Sequence, residues 1–267
     1  DYEVIATAMR ALSSTYLGNV KDGCAQAEAW AAKVAAFDEG TQDGLGLTIL
    51  PYEAERLLFC GQVEEGLAAA TRGWHLLEKF GIREYEQRLL TLLGDAALAK
   101  GRPDEARAKF GAALDLGLAI GASATAARAR KGLAEVALAE GDRDGAADLL
   151  AQAYRTADKG GYRFLAGQAA ILAGNVALLA GERQSAAGWF DKALTWALKA
   201  ACRHLEMAAH AGLAGAMTDA DAAKHVRAAS TLLDQQIAGL SETRAAEYLS
   251  VPERAAVRSL ALRARGI

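Results

Sequence analysis

Histidines, cysteines and carboxylates are the side chains here that could do chemistry, and their spacing offers them few partners. The histidines are His75, His204, His210 and His225. His204 and His210 are six apart, so on a helix they point to different faces, which suits no shared metal. The metalloprotease pattern H-E-x-x-H is absent. Cys24, Cys60 and Cys202 are odd in number, widely spaced and set among apolar neighbours, with no C-x-x-C pair. They read as small buried hydrophobes in a reducing compartment. No phosphate loop of the form G-x-x-x-x-G-K-[ST] occurs, and no G-x-S-x-G elbow. Glycine strings such as GLG are not followed by strands, so no dinucleotide site is implied. Carboxylate-rich stretches such as EYEQ and DRDG suit helix starts and solvated faces. The expectation is a chain that is not an enzyme and holds no cofactor and no metal.

Whatever function exists must then lie in a surface, and the elements that build it are plain. Of 267 residues, 64 are alanine and 27 glycine, against 3 prolines. Alanine is the strongest helix former, and the scarcity of β-branched residues argues against a sheet-rich fold. Hydrophobic residues at 52% exclude disorder. A net charge of −3 speaks against direct nucleic-acid binding. No apolar run approaches the ~20 residues that cross a bilayer, so no membrane partner is expected. The opening DYEVIATAMR has two acids and no basic leader, so no signal peptide is expected and the protein reads as cytoplasmic. A start on Asp1 rather than Met suggests a piece of something longer.

Gly61, Gly101, Gly141 and Gly181 fall at intervals of 40. Each lies between two helical patterns, as in AKGRPDEARAKF and AEGDRDGAADLL, where glycine ends one helix in the left-handed conformation. Acidic or polar residues then open the next helix at the positive end of its dipole. Pro103 suits a first turn, where a missing N–H costs nothing. Looser copies surround Gly18 and Met217. Counted from the turn glycine, Gly94, Ala134 and Gly174 lie seven before it, and Ala97, Ala137 and Ala177 four before. Ala106, Ala146 and Ala186 lie five after, Phe110, Leu150 and Phe190 nine after, and Ala113, Ala153 and Ala193 twelve after. Small residues let antiparallel helices approach closely, and the large one fills the wedge between hairpins.

These positions resemble those of the tetratricopeptide repeat over nearly the whole chain, most specifically in repeats three to five. The interval of 40 exceeds that family's usual ~34 residues, which lengthens each hairpin by roughly a turn and a half. The family's usual aromatic residues of the first helix are replaced by Ala97, Ala137 and Ala177. The longer form, with second helices such as ALDLGLAIG, resembles the arrays of bacterial MalT-like and other LuxR-type regulators and of some adenylate cyclases. The segment HVRAASTLLDQQIAGLSETRAAEYLSVPERAAVRSLALRARG is similar to the tail that closes such arrays. The resemblance implies an all-α, right-handed α-solenoid of about six helical hairpins with a C-terminal capping helix. One solenoid domain would span 1–267, with hairpins at about 4–38, 47–81, 83–121, 124–161, 163–201 and 203–237 and the cap at 241–267. Asp38 to Gly46 (DEGTQDGLG) reads as a turn-rich loop, and Pro51 as opening or kinking the helix after it. In the cap, Val257, Leu260, Ala261 and Ala264 share one face, and Arg254, Arg258 and Arg265 a polar one.

In that family the first helix of each hairpin lines an inner groove, at thirteen, ten, six and three residues before the turn glycine. The resemblance therefore implies a ligand-binding groove of Arg88, Thr91, Asp95 and Leu98, then Arg128, Lys131, Glu135 and Leu138, then Gln168, Ile171, Asn175 and Leu178. Glu55 and Leu58 fall there in repeat two. The basic residues with Asn175 suit a carboxylate- or phosphate-bearing ligand. The competing reading pairs these arginines with Glu55, Asp95 and Glu135 between hairpins. The carboxylate clamp of chaperone-binding relatives needs Lys and Asn four apart, and here Glu135 follows Lys131 while Ile171 precedes Asn175. The tryptophans, Trp30, Trp74, Trp189 and Trp196, all fall on second helices and read as packing residues.

The expected function is a non-enzymatic protein- or peptide-binding scaffold that works through its concave groove. The alternative is a sensory or regulatory module, taken from a multidomain bacterial transcriptional regulator or signalling protein, whose effector would be a small molecule. A degenerate sixth repeat leaves an apolar end through which copies could self-associate.

Overall fold

The computed structural model describes residues 2–35 and 39–264, and among these all fourteen regular elements are α-helices. They pair along the chain as α1 (Tyr2–Tyr16) with α2 (Val20–Val34), α3 (Glu39–Phe59) with α4 (Val63–Phe80), and α5 (Glu86–Ala99) with α6 (Pro103–Ala119). Then follow α7 (Ser123–Ala139) with α8 (Arg143–Lys159), α9 (Arg163–Leu179) with α10 (Arg183–Ala200), and α11 (Arg203–Ala216) with α12 (Asp219–Ile237). Helices α13 (Glu242–Ser250) and α14 (Pro252–Ala264) follow. The fold is an all-α solenoid of six hairpins. No described helix is long and apolar enough to cross a membrane.

The turn glycines work as their spacing requires. Gly101, Gly141 and Gly181 take φ of 68°, 85° and 80°. The amide after each returns to the carbonyl of Ala97, Ala137 or Ala177 at 2.9 Å, closing the helix end in a Schellman turn. A second 40-residue series joins the hairpins to one another: Gly81, Gly121 and Gly161 are left-handed, and Ala201 holds the same conformation with φ 50°.

Hairpins stack around one wedge each. Phe110 is fully buried between Gly94 and Gly132. A Cβ at Gly94 would stand 2.7 Å from its ring, and one at Gly132 closer still. Phe190 is held in the same way between Gly174 and Gly212. In the repeat between them the wedge is Leu150, and its neighbours are Ala134 and Leu172. The volumes compensate: a ring takes two glycines, and a leucine takes alanine and leucine.

Two expectations are corrected. The stretch from Glu39 to Gly46 is not a loop but the first half of α3, which runs unbroken through Pro51; Asp38 lies outside the described residues. Leu45 and Ile49 pack with Val4, Ala8 and Trp30, while Leu47 and Leu50 pack with Leu76 and Leu77. Asp43 receives Lys79 at 2.8 Å. That burial outweighs the glycines' preference for turns. The polar face assigned to the cap is also wrong at Arg254, which is 1% exposed. Its guanidinium lies 3.8 Å from the Tyr248 ring centroid and 4.3 Å from that of Phe59. It donates to the Phe59 carbonyl at 2.6 Å. Arg265 lies outside the described residues.

The reason is that the superhelix curls until its ends meet. Val20 of α2 and Cys60 after α3 share one apolar cluster with Met207, Ala229, Leu233, Tyr248 and Val257 of α11 to α14. The Cys202 thiol donates to the Tyr16 carbonyl at 2.8 Å, and the Arg203 amide to the Leu17 carbonyl at 3.2 Å. Arg254 therefore faces the second hairpin rather than solvent.

The wedge geometry sets a test. Gly132→Ala is expected to lower stability by about 1–3 kcal/mol through overpacking against Phe110. Adding Phe110→Leu should return most of that loss, because leucine is the wedge where the flanking residues are larger. Thermal unfolding followed by circular dichroism reads both; an unchanged single variant, or no recovery in the double, contradicts the packing.

Candidate functional site

Helices α3, α5, α7 and α9 present one face each to the inside of the curl. Glu55 lies in its centre, 7% exposed. It accepts hydrogen bonds from Arg88 at 2.5 Å, from Arg128 and from the Tyr16 hydroxyl. Arg128 also reaches Asp95 at 2.9 Å. Lys131 pairs with Glu135 on its own helix at 2.7 Å. The cationic groups named from the repeat offsets are thus brought together, and each is matched by a carboxylate. Arg88 further lies over the Tyr52 ring at 3.9 Å, a cation–π contact that ties its guanidinium to α3.

Burial alone would raise the Glu55 carboxyl, but Arg128 and Arg88 outweigh it and lower the group from 4.5 to about 2. Partial burial lowers Lys131, yet Glu135 and Asp95 win and the ammonium titrates above its ordinary range. Glu55 and Lys131 therefore stay ionised across the physiological range, a fixed pair of charges at the centre of the groove.

Three adjoining cavities run along the groove. The first, about 590 Å3, is walled by Glu55, Arg88, Thr91, Arg128, Phe164 and Gln168, among others. The second, about 400 Å3, adds Tyr16, Asp95, Leu98, Lys131 and Glu135. The third, about 890 Å3, extends past Lys131 and Glu135 to Ile171, Asn175 and Leu178. Gln168 borders all three, and Arg128, Lys131 and Glu135 each border two. Asn175 is exposed, whereas Thr91 is 1% exposed and turns its hydroxyl to the Arg88 carbonyl at 2.8 Å. Leu138 borders none of these three cavities.

The repeat offsets do not reach several residues of the site. Tyr16 of α1 stacks on Phe164 of α9 with centroids 4.1 Å apart, closing the floor of the groove. Phe59 packs edge-on to His204 at 4.6 Å. The corner between α13 and α14 puts Val251, Pro252 and Glu253 into the wall of the third cavity. There Glu253 faces His204 at 3.8 Å, its carboxyl raised by burial while burial lowers the imidazole. Only the closure of the coil brings these residues in. No group of three or more metal-ligating side chains occurs among the described residues.

No protein-family model matches the chain. No curated protein matches it in sequence. The structure is similar to that of a Rap protein complexed with competence and sporulation factor, with a TM-score of 0.68, 11% identity, and 97% of this chain and 74% of that one covered. It is also similar to the apo form of RapI, with a TM-score of 0.59 and 13% identity over 99% of this chain and 98% of that one. The fold is the tetratricopeptide-like array of these proteins. At such identities the likeness extends to the fold alone.

Glu55 supplies the test of the electrostatic centre. Its folded-state carboxyl is depressed, so its contribution to stability is present above about pH 4.5 and is lost as pH falls toward 2. Glu55→Gln removes one partner of a buried network and is expected to cost about 3 kcal/mol near neutrality. Its stability should then fall less steeply than that of the parent protein between those two pH values. Urea midpoints across the acid range measure this, and parallel acid limbs would contradict it.

Proposed function

We propose that the concave groove is a receptor for an extended polypeptide segment and that the protein acts by binding, without catalysis. The observation that carries this is the continuity of the three cavities through Gln168, Arg128, Lys131 and Glu135. A continuous trough suits a chain of several residues better than one compact metabolite. Its walls alternate apolar patches (Phe164, Leu98, Ile171, Leu178) with polar groups held in place by partners, which is the pairing that anchors side chains and orients a backbone. A rigid array adds little ordering cost when the ligand docks. The Rap protein of similar fold that was solved with competence and sporulation factor is consistent with this use.

Within the groove, the residues proposed to meet the ligand are Arg88, Thr91, Asp95, Arg128, Lys131, Glu135, Gln168 and Asn175. Arg88 and Arg128 are already matched by Glu55 and Asp95, so a ligand carboxylate has to share these arginines rather than find them vacant. Asn175 is exposed and offers both a donor and an acceptor to a peptide backbone.

The test uses peptides selected from a displayed random library on the immobilised protein. Gln168→Trp fills the junction of the three cavities and is expected to weaken the selected peptides at least tenfold, or about 1.4 kcal/mol, without lowering the melting temperature. Arg88→Ala should weaken peptides that carry acidic side chains. Undiminished binding by a folded Gln168→Trp protein would remove the groove as the binding surface.

A further inference from the structure

Two of the three cysteines, 36 residues apart in sequence, meet in the fold. Cys24 is on α2 and Cys60 directly follows α3, and both pack into the apolar cluster where the ends of the coil meet. Arg56, one turn before Cys60, is 4% exposed. It forks onto Glu53 at 2.6 and 2.8 Å and directs its remaining nitrogen to the Cys24 sulfur at 3.7 Å. Cys24 is half-buried and opens on a cavity of about 330 Å3, also lined by Glu28, Glu53, Arg56 and Arg244. Cys60 is 5% exposed and lies behind it in the apolar cluster where the ends of the coil meet. An outer thiol beside a fixed cation, with an inner thiol packed in the same cluster, is the arrangement of a reactive and a resolving cysteine.

We propose that Cys24 and Cys60 form a peroxide-responsive dithiol, with Cys24 as the attacking thiolate and Cys60 as the resolving thiol. The Cys24 thiolate attacks one oxygen of a hydroperoxide. The O–O bond breaks, the leaving alkoxide or hydroxide takes a proton from water, and Cys24 becomes a sulfenic acid. The Cys60 sulfur then attacks the Cys24 sulfur. The S–S bond forms, the S–O bond breaks, and the hydroxyl leaves as water with the Cys60 proton. Two thiols are oxidised by two electrons and one peroxide is reduced.

The electrostatics agree with these roles. The neighbouring Cys60 thiol lowers the Cys24 thiol; burial and Glu28 oppose the shift, and Arg56 and Arg244 assist it. Cys60 is pushed up by the neighbouring Cys24 and by burial. Cys202 is raised to about 11, chiefly by burial, and serves as an internal control. The crosslink would tie α2 to the last residue before Gly61, next to Phe59, whose carbonyl receives Arg254. Oxidation thus acts on the seam that closes the array, and the proposal stands whether or not the groove takes a peptide.

The experiment treats the reduced full chain with hydrogen peroxide, quenches it, alkylates the remaining thiols under denaturing conditions, and maps them by peptide mass spectrometry. The expected result is an intramolecular Cys24–Cys60 crosslink that forms at least about tenfold faster than any oxidation of Cys202. In Cys60→Ser, dimedone should trap a sulfenic acid on Cys24; in Cys24→Ser, Cys60 should remain a thiol. Oxidation of Cys24 no faster than of Cys202, or a sulfenic acid that persists on Cys24 of the parent protein without a crosslink, overturns the proposal.

Discussion

Hairpins in this chain approach one another through alanine and glycine, and the large wedge residues allow very little freedom in how they do so. Phe110 and Phe190 each fill a slot that only glycine leaves open, so the rotation from one hairpin to the next is set by steric exclusion and repeats along the array. Because the rotation repeats, the curl accumulates. After six hairpins the array has turned far enough for α11 to α14 to meet α2 and the end of α3. The groove, its charged centre and the seam all follow from that accumulated angle.

Closure changes what the inner face can be. In an open array, first-helix side chains would face water, and their charges would be screened and weakly coupled. Here Tyr16, from the first helix, reaches Glu55 and stacks on Phe164 of the ninth. The enclosed Glu55 must then be matched, and Arg88 and Arg128 do so from two different hairpins. The result is a rigid polar hub set between apolar patches. That combination suits recognition, because the groups a ligand would contact are held before it arrives. The same closure buries Arg254 against Phe59 and Tyr248, turning a nominally polar cap into a latch.

Much of the fold was legible because it is encoded locally and repeated. Gly101, Gly141 and Gly181 mark helix ends through a backbone conformation that glycine adopts freely, and their 40-residue interval is visible in the sequence itself. The inner-face positions followed from the repeat offsets, which is why Arg88, Arg128, Lys131 and Gln168 could be placed on one surface. What was not legible depends on distant contacts. The first half of α3 is rich in glycine and polar residues, and it becomes helical only because Leu45, Leu47 and Ile49 find cores on both sides. Arg254 falls on the polar side of a helical wheel, and nothing local says that Phe59 will cover it. Cys24 and Cys60 likewise have no local signal, since their contact depends on how α2 packs beside the end of α3. The pairing of Glu55 with Arg128 spans 73 residues and was only one of two readings of the same charges.

Closure itself can be read at a single amide. Arg203 opens α11, where the first N–H groups of a helix have no partner within the helix and exchange quickly. Its amide donates to the Leu17 carbonyl at 3.2 Å, across the meeting of the two ends, whereas Arg163 and Arg183 at equivalent helix starts reach back only to their own turn glycines. Native-state hydrogen exchange, resolved by residue, should show the Arg203 amide markedly slower than those of Arg163 and Arg183. Equal, rapid exchange at all three would mean that the array does not close and that its groove lacks the floor described here.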